Sequence, residues 1–371
     1  MNGEFYQLKV KDVKTETFDT KSYTLDLNGV SEDFDYVQGQ HVFVKMKIAG
    51  TEYLRPYSMS SSPYEGDLTF TVKRLRSGVV SNYINDHIKP GDEIEVMPPQ
   101  GSFYTELNPD NEQDYYFVGA GSGITPLLSL IKSILHAETK SRIFLFYGNR
   151  NEDAIIFYDE LNQLQAANPN RFFVEYILSS PKKEKRSGLL GYLGNGEISW
   201  DGSVGNIKEK TLHHFFQKYP VKNSLRSTFF LCGPQGVIDT SQDFLVKMGV
   251  AEEQILTESF YREYEDLHPG GQIKSCKTTV RYKGETFVVD IDDSRPILDS
   301  LLKNDVIIPF ACRSGLCSSC VVKIVKGQVH CRETKGLPDN VRELGYVLSC
   351  QSTPASEELE IDYDSKIHTL N

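Results

Sequence analysis

No run of about 18 apolar residues occurs anywhere in the 371-residue sequence, so no membrane-spanning helix and no membrane insertion are expected. The opening MNGEFYQLKVKDVKTET has neither an apolar core nor a small-residue cleavage site. A secretory signal is therefore not expected, and a cytoplasmic location follows. Positive charge is not in excess: 40 Lys and Arg stand against 51 Asp and Glu, for a net charge of −11. That balance excludes the basic face with which a nucleic-acid binder neutralises phosphates. There is no internal repeat, no low-complexity tract, no nucleophile–His–acid set and no metal-type spacing among the eight histidines. His213–His214 reads as a helix surface.

What is present is enough apolar material, 39% of residues, to bury two or three cores of ordinary domain size. Residues 1–108 read as short strands punctuated by glycine and proline. Leu68–Val72 and Glu93–Val96 alternate with a period of two, as in an antiparallel barrel or sandwich. Residues 109–260 alternate strand and helix, with strands at Tyr115–Val118, Ile143–Tyr147, Phe172–Leu178, Phe229–Cys232 and Ile255–Phe260. Between the first two, Leu127, Leu128, Ile131, Ile134 and Leu135 recur at helical spacing. That alternation predicts a parallel nucleotide-binding sheet. Pro181–Lys210, rich in Gly and Lys, reads as a long loop. Residues 261–275 form a polar linker around Pro269–Gly270–Gly271, on which the last domain is expected to move. Residues 276–371 open with a hairpin about Lys283–Gly284 and a helix near Ile297–Lys303.

Five of the seven cysteines, Cys312, Cys317, Cys320, Cys331 and Cys350, fall from residue 312 onward. At this chain size they read as metal ligands or thiols rather than a disulfide framework. Cys312, Cys317 and Cys320 are spaced C-x4-C-x2-C, and Cys350 follows after 29 residues. This is the plant-type [2Fe–2S] spacing. A tight loop offers three thiolates, a distant strand end the fourth, and Gly315, Ser318 and Ser319 leave room for backbone N–H groups near the sulfides. A structural zinc site is the alternative, but it ordinarily uses two C-x2-C knuckles and only one is present. Cys331 and Cys276 lie outside the pattern.

Gly119-Ala-Gly-Ser-Gly-Ile-Thr-Pro126 follows a strand and opens a helix. Gly121, Ser122, Gly123, Thr125 and Pro126 thus fall where backbone amides meet a pyrophosphate at a helix N-terminus. Ile124 stands where the third glycine of G-x-G-x-x-G is usual. Asn149 and Arg150 end the second strand, where Arg150 suits a 2′-phosphate; Asp153 nearby keeps the bare ribose of NADH open as the alternative. Lys182, Lys183, Lys185 and Arg186 could assist from the loop, or simply be solvated. Cys232-Gly233-Pro234 ends the fourth strand at the ligand edge of the sheet, although Cys232 reads equally as a small buried residue.

Arg55-Pro-Tyr57-Ser58, taken with Gly119–Pro126 and Cys232–Pro234, resembles the ferredoxin–NADP reductase superfamily over essentially the whole chain. The order of flavin, nucleotide and C-terminal ferredoxin domains resembles the reductase components of multicomponent oxygenases. The resemblance implies an antiparallel flavin-binding β-barrel, a parallel-sheet NAD(P) domain and a β-grasp ferredoxin domain. It implies FAD, a [2Fe–2S] cluster, and NADPH or NADH as substrate. It places Arg55 on the FAD pyrophosphate, Tyr57 against the isoalloxazine and Ser58 near the flavin N5. Lys73 and Gly78, Val79, Val80 and Ser81 make a second pyrophosphate segment, and Pro99–Phe103 the turn closing the barrel. Glu258 and Phe260 fall beside flavin and nicotinamide. Ser58, Thr125, Cys232 and Glu258 are the candidates for shaping hydride transfer, and Cys312, Cys317, Cys320 and Cys350 for holding the cluster. Electrons would pass singly to a transiently docked acceptor, an oxygenase or else a desaturase or P450. A redox sensor keeping the fold without flavin is the alternative of another class. The acidic tail Glu357–Asp364 reads either as a steering surface or as a solvated edge strand.

Overall fold

The computed structural model describes residues 5–28, 34–76, 78–184, 197–260, 273, 275–304, 306, 308, 310, 315, 320–331 and 337–365. The chain divides into two units, Met1–Ser259 and Phe260–Asn371. The linker segment 261–272 lies outside the described residues, as do Lys185, Arg186, Cys312 and Cys317.

The first unit begins with strands β1 (Tyr6–Thr17), β2 (Thr20–Leu25), β3 (His41–Ile48), β4 (Thr51–Ser58) and β5 (Leu68–Lys73), helix α1 (Val79–His87) and strand β6 (Glu93–Gln100). The strands form one antiparallel sheet in the order β4-β3-β6-β1-β2-β5. A bridge from Met59 to Phe70 joins the two outer strands, so the sheet closes on itself. Closure removes the unpaired edges that an open sheet presents. The alternating residues point inward: Leu68, Phe70 and Val72 meet Ile94, Val96, Val42 and Val44 in one core. Helix α1 covers one mouth with Val80 and Ile84.

A parallel sheet follows. Its elements are β7 (Asp114–Ala120), α2 (Ile124–Ala137), β8 (Arg142–Asn149), α3 (Tyr158–Ala167), β9 (Phe172–Leu178), the short ribbon β10 (Lys183–Glu184) and β11 (Glu197–Ile198), β12 (Ser203–Val204), α4 (Glu209–Lys218), β13 (Ser227–Cys232), α5 (Gln235–Lys247) and β14 (Ile255–Glu258). The order is β12-β9-β8-β7-β13-β14. The chain builds outward from β7 in one direction, then returns to its other side for β13 and β14. The reversal opens a crevice at the carboxyl end of β7, where α/β sheets bind ligands. Both faces are buried, so the middle of the central strands is continuously apolar, as in Tyr115–Val118 of β7 and Ile143–Phe146 of β8. Tyr115 and Phe117 face the α2 side; Tyr116 and Val118 face Phe215, Phe216 and Phe244 of α4 and α5. The segment expected to be a loop thus supplies a sheet strand, β12, and the first residues of α4. Two-residue β12 carries too little pattern for its period to be read.

Barrel and sheet belong to the same unit, and α2 joins them. Ser129 Oγ donates to the Ser61 carbonyl at 2.6 Å, and Ser62 and Ser133 hydroxyls lie 2.7 Å apart, all buried. Lys132 pairs with Glu65 at 2.8 Å and Tyr64 stacks on His136.

The second unit contains β15 (Cys276–Tyr282), β16 (Glu285–Ile291), α6 (Ile297–Lys303), β17 (Val321–Lys326), β18 (Val329–Cys331), α7 (Asp339–Glu343), β19 (Tyr346–Leu348), β20 (Ser352–Pro354) and β21 (Glu358–Asp362). Its main sheet runs β16-β15-β21-β17-β19, with α6 packed on one face. This corrects the edge-strand reading of the acidic tail, because β21 is the central strand. Leu359 and Ile361 point into the core while Glu358 and Glu360 point out and pair with Lys326 and Arg281.

Replacing Ser129 by Ala strands the buried Ser61 carbonyl and is expected to destabilise the first unit by about 1–2 kcal/mol in urea unfolding. An unchanged midpoint would show that the hydroxyl carries no part of the barrel–helix contact.

Candidate functional site

The crevice is framed by two turns that nearly touch. A Cβ on Gly123 would lie 2.1 Å from the Cys232 carbonyl oxygen, so only glycine permits the approach of the β7 and β13 turns. Gly121 takes a left-handed φ of 54°, and its carbonyl accepts a 2.9 Å hydrogen bond from Tyr147 on β8. Thr125 spends its hydroxyl on the Ser122 carbonyl at 2.9 Å. It serves the turn rather than presenting a free group. Pro126 sits buried in the first turn of α2, where no backbone donor is missed.

Beside these turns lies a cleft of about 420 Å³, lined by Gly121, Gly148, Asn149, Arg150, Ser180 and Pro234 among others. Its size and mixed lining fit a nucleotide. Arg150 lines it and makes no ion pair among the described residues. Lys182 is drawn away, its Nζ 2.6 Å from Asp153, and both are exposed. The alternative acidic residue therefore already has a cation.

On the barrel, Arg55, Tyr57 and Ser58 lie along the last half of β4. Tyr57 stacks on Phe70, with ring centroids 5.7 Å apart, and burial pushes its phenol up, out of the ordinary range. Gly78 caps α1, and the Ser81 hydroxyl accepts from Leu75 N–H, so Ser81 shapes the turn that presents the helix N-terminus. Val80 is buried in the barrel core, whereas Val79 is exposed. Lys73 also lines the cleft and lies 3.5 Å from Asp19. An arginine, an open helix N-terminus and a stacked phenol make a donor set that fits a flavin dinucleotide.

Two candidate residues from distant parts of the chain meet here. Ser58 Oγ lies 3.4 Å from Glu258 Oε2 across 200 residues of sequence. Glu258 ends β14 opposite Cys232, which ends β13. Burial drives the Glu258 carboxyl up to about 8, against a smaller downward pull from the Ser58 hydrogen bond. Burial, then the nearby Glu258, holds the Cys232 thiol well above its usual range, so it is a neutral thiol and not a nucleophile. His41 completes the group. Its Nδ1 is 3.9 Å from Glu258 Oε1, and burial lowers it to about 4. Nothing in the local sequence around His41 signalled this. Only the register His41↔Ser58 does, and that appears with the sheet. Phe260 is the first residue of the second unit and is exposed.

In the second unit Cys320 and Cys350 are buried and close. Ser349 donates both N–H and Oγ–H to the Cys320 carbonyl at 3.0 Å, tying the two ligand segments together. Gln351 Nε2 points at the Cys350 sulfur from 3.6 Å. The Tyr363 hydroxyl is buried near both cysteines, and burial raises this phenol well above its ordinary range. Two thiols brought together in a buried, donor-lined place fit half of a [2Fe–2S] ligand set.

The buried acid and base give stability a definite pH dependence. From pH 6.5 to about 8 the folded state keeps a proton on Glu258 that the unfolded chain, with its carboxyl near 4.5, has lost. Stability therefore falls as pH rises through that window, at about 1.4 kcal/mol per pH unit. Below 6.5, the ordinary His value, the proton missing from folded His41 opposes this slope. Denaturant unfolding of flavin-free protein should show the decline, and Glu258→Gln should abolish it. A flat profile in the parent chain would refute the protonated, buried carboxyl.

Comparison with known proteins bears on all three regions. Residues 7–104 match the oxidoreductase FAD-binding domain, 117–243 the oxidoreductase NAD-binding domain and 280–355 the 2Fe-2S iron-sulfur cluster binding domain. The chain is 31% identical, over 98% of both sequences, to a component of the 1,2-phenylacetyl-CoA epoxidase of Escherichia coli. It is 30% identical, over 98% of both, to the ferredoxin reductase component of 3-ketosteroid-9-alpha-monooxygenase of Mycolicibacterium smegmatis. Among solved structures, phthalate dioxygenase reductase covers 96% of this chain and 98% of its own, with a TM-score of 0.59 at 22% identity. The chain belongs to the ferredoxin–NADP reductase superfamily, as an NAD(P)H-dependent, FAD- and [2Fe–2S]-containing reductase component of the multicomponent-oxygenase type.

Proposed function

We propose that this reductase draws its electrons from NADPH in preference to NADH and delivers them to an oxygenase acting on a coenzyme A thioester. The single observation that carries the nucleotide choice is the state of the two competing side chains. Arg150 lines the cleft, while Asp153, which would favour an unphosphorylated ribose, is paired with Lys182. The acceptor class is supported by the whole-length similarity to the epoxidase component. The similarity to the ketosteroid monooxygenase reductase makes a steroid oxygenase the second reading.

Bound FAD supplies the conversion between a two-electron donor and a one-electron cluster. The rest falls to this chain. Arg55 and the N-terminus of α1 hold the pyrophosphate, Tyr57 backs the ring and Gly121–Gly123 seat the nucleotide. Ser58 and Glu258 define where the nicotinamide and the flavin ring meet. Cys312, Cys317, Cys320 and Cys350 hold the iron. The first two of these fall outside the described residues, so the ligand set rests on their spacing and on the placement of the other two.

Reduction of cytochrome c by the purified protein tests the reading. NADPH should serve at lower KM than NADH, and Arg150→Gln should raise the NADPH KM on the order of tenfold to a hundredfold, leaving NADH within about twofold. Equal KM values before and after the substitution would remove Arg150 from nucleotide choice. Cys350→Ser should abolish the rhombic low-temperature EPR signal of the reduced protein and its cytochrome c activity while leaving the flavin spectrum. A retained signal would remove Cys350 from the ligand set.

A further inference from the structure

The fold of the second unit explains the ring of Tyr363 but not its hydroxyl. Strand β21 ends at Asp362, and the backbone keeps its pairing one residue further, where the Tyr363 N–H donates to the Arg281 carbonyl of β15 at 2.9 Å. The ring packs against the core of the unit and meets Tyr282 edge-on, with centroids 6.0 Å apart. A phenylalanine would do all of this. Yet the Tyr363 Oη is buried and has no hydrogen-bond partner among the described residues. A buried hydroxyl left unmet costs free energy, and an exception of this kind needs a reason.

We propose that the Tyr363 hydroxyl donates a hydrogen bond to the sulfur atoms on the Cys320–Cys350 side of the bound cluster and so raises the potential at which the cluster takes up its electron. The inference rests on the four-cysteine reading above. It adds a tuning residue that lies outside the C-x4-C-x2-C run.

The sheet register carries the hydroxyl to that place. Lys323 and Ile324 of β17 pair with Asp362 and Ile361 of β21. Continued by one residue, the register sets Tyr363 opposite Val322, which is buried in the core. Cys320 precedes Val322 by two residues, so it falls on the same face of the sheet, diagonal to Tyr363. It is buried in the same core. Diagonal neighbours across a ladder lie within reach of an aromatic side chain. Ser349 brings Cys350 to the same spot, since its N–H and Oγ–H both bond to the Cys320 carbonyl at 3.0 Å. That commits the Ser349 hydroxyl, which lies outside hydrogen-bond geometry to the phenol. One side-chain donor, Gln351 Nε2, already points at the Cys350 sulfur from 3.6 Å. Tyr363 would be the second.

The direction of the effect follows from charge. One electron enters the cluster from the reduced flavin; no bond forms or breaks, and no proton moves. The sulfurs carry more negative charge afterwards than before. An O–H aimed at them is therefore worth more to the reduced form than to the oxidised one, and more in a buried place than in water. A phenol suits the task because it stays protonated at neutral pH.

The test is a mediated redox titration of the holoprotein, read from the rhombic low-temperature EPR signal of the reduced cluster. Tyr363→Phe removes one oxygen and keeps the ring. Its cluster should hold the electron about tenfold less tightly, a downward shift of about 59 mV for a one-electron couple, with iron, acid-labile sulfide and flavin contents unchanged. Tyr282→Phe, which trims the packing partner of the same ring, should leave the midpoint where it is. Pulsed electron–nuclear spectra of the reduced parent should also show a proton coupling, exchangeable in deuterium oxide, that Tyr363→Phe lacks. An unchanged midpoint in Tyr363→Phe would overturn the proposal and leave the hydroxyl to Ser349 or to water. Equal shifts in both variants would overturn it too, because loosened packing would then be the cause. Loss of the cluster from Tyr363→Phe would likewise overturn it, by assigning the hydroxyl to cluster retention instead of potential. A parent protein lacking iron, sulfide and the rhombic signal would instead sink the four-cysteine reading.

Discussion

Helix α2 is the element on which the first unit's chemistry depends. One side is apolar and packs into the parallel sheet; the other carries Ser129 and Ser133, which meet the barrel. Serines are poor formers of helix interiors because their hydroxyls compete for backbone groups. Here Ser129 donates outward to the Ser61 carbonyl, while Ser133 donates to the Ser129 carbonyl one turn back and meets the Ser62 hydroxyl. Small polar side chains let helix and barrel approach closely while leaving no buried donor unmet. That fixed approach is what brings Ser58, from the barrel, to Glu258, from the last strand of the sheet.

Much of this was legible before any coordinates, and for physical reasons. The period-two alternation at Leu68–Val72 survives in the barrel because one face is dry. The glycines after β7 could be read as a turn because nothing larger than Gly123 fits against the Cys232 carbonyl. The C-x4-C-x2-C run stands out by spacing alone. What escaped had no local pattern. The strand β12 is two residues long and is strand only because β9 pairs with it. The tail Glu358–Asp362 looks like an exposed strand because its outer face is acidic, yet cross-strand Lys326 and Arg281 neutralise that face at the centre of a sheet. His41 could not be singled out because its meaning lies in a partner more than two hundred residues away.

The same pairings bear on how the ferredoxin unit presents charge. Glu358 and Glu360 are each bridged to a cation, and Asp364 accepts from the backbone N–H groups of Lys283 and Gly284 at the hairpin turn. Acidic groups spent on holding strands together contribute less field at a distance than their number implies, since each exposed pair is close to a neutral dipole. The net charge of −11 is therefore a poor measure of what an approaching partner meets at this tail.

The parallel sheet treats its two ends differently, as the carboxyl groups at each end show. At the amino end, Asp114 of β7 is clamped by Arg142 of β8 through two hydrogen bonds of 2.8 and 2.6 Å. A carboxylate held by a guanidinium fork is fixed in charge and position, which suits a structural role. At the carboxyl end, Glu258 is buried with no cation beside it among the described residues, next to a hydroxyl, a thiol and an imidazole. Desolvation without compensation disfavours the anion. The carboxyl therefore stays neutral, and a neutral carboxyl can donate from one oxygen while it accepts at the other. An acid without a counter-charge thus costs stability at the carboxyl edge of the sheet, while the opposite edge holds its carboxylate in a salt bridge.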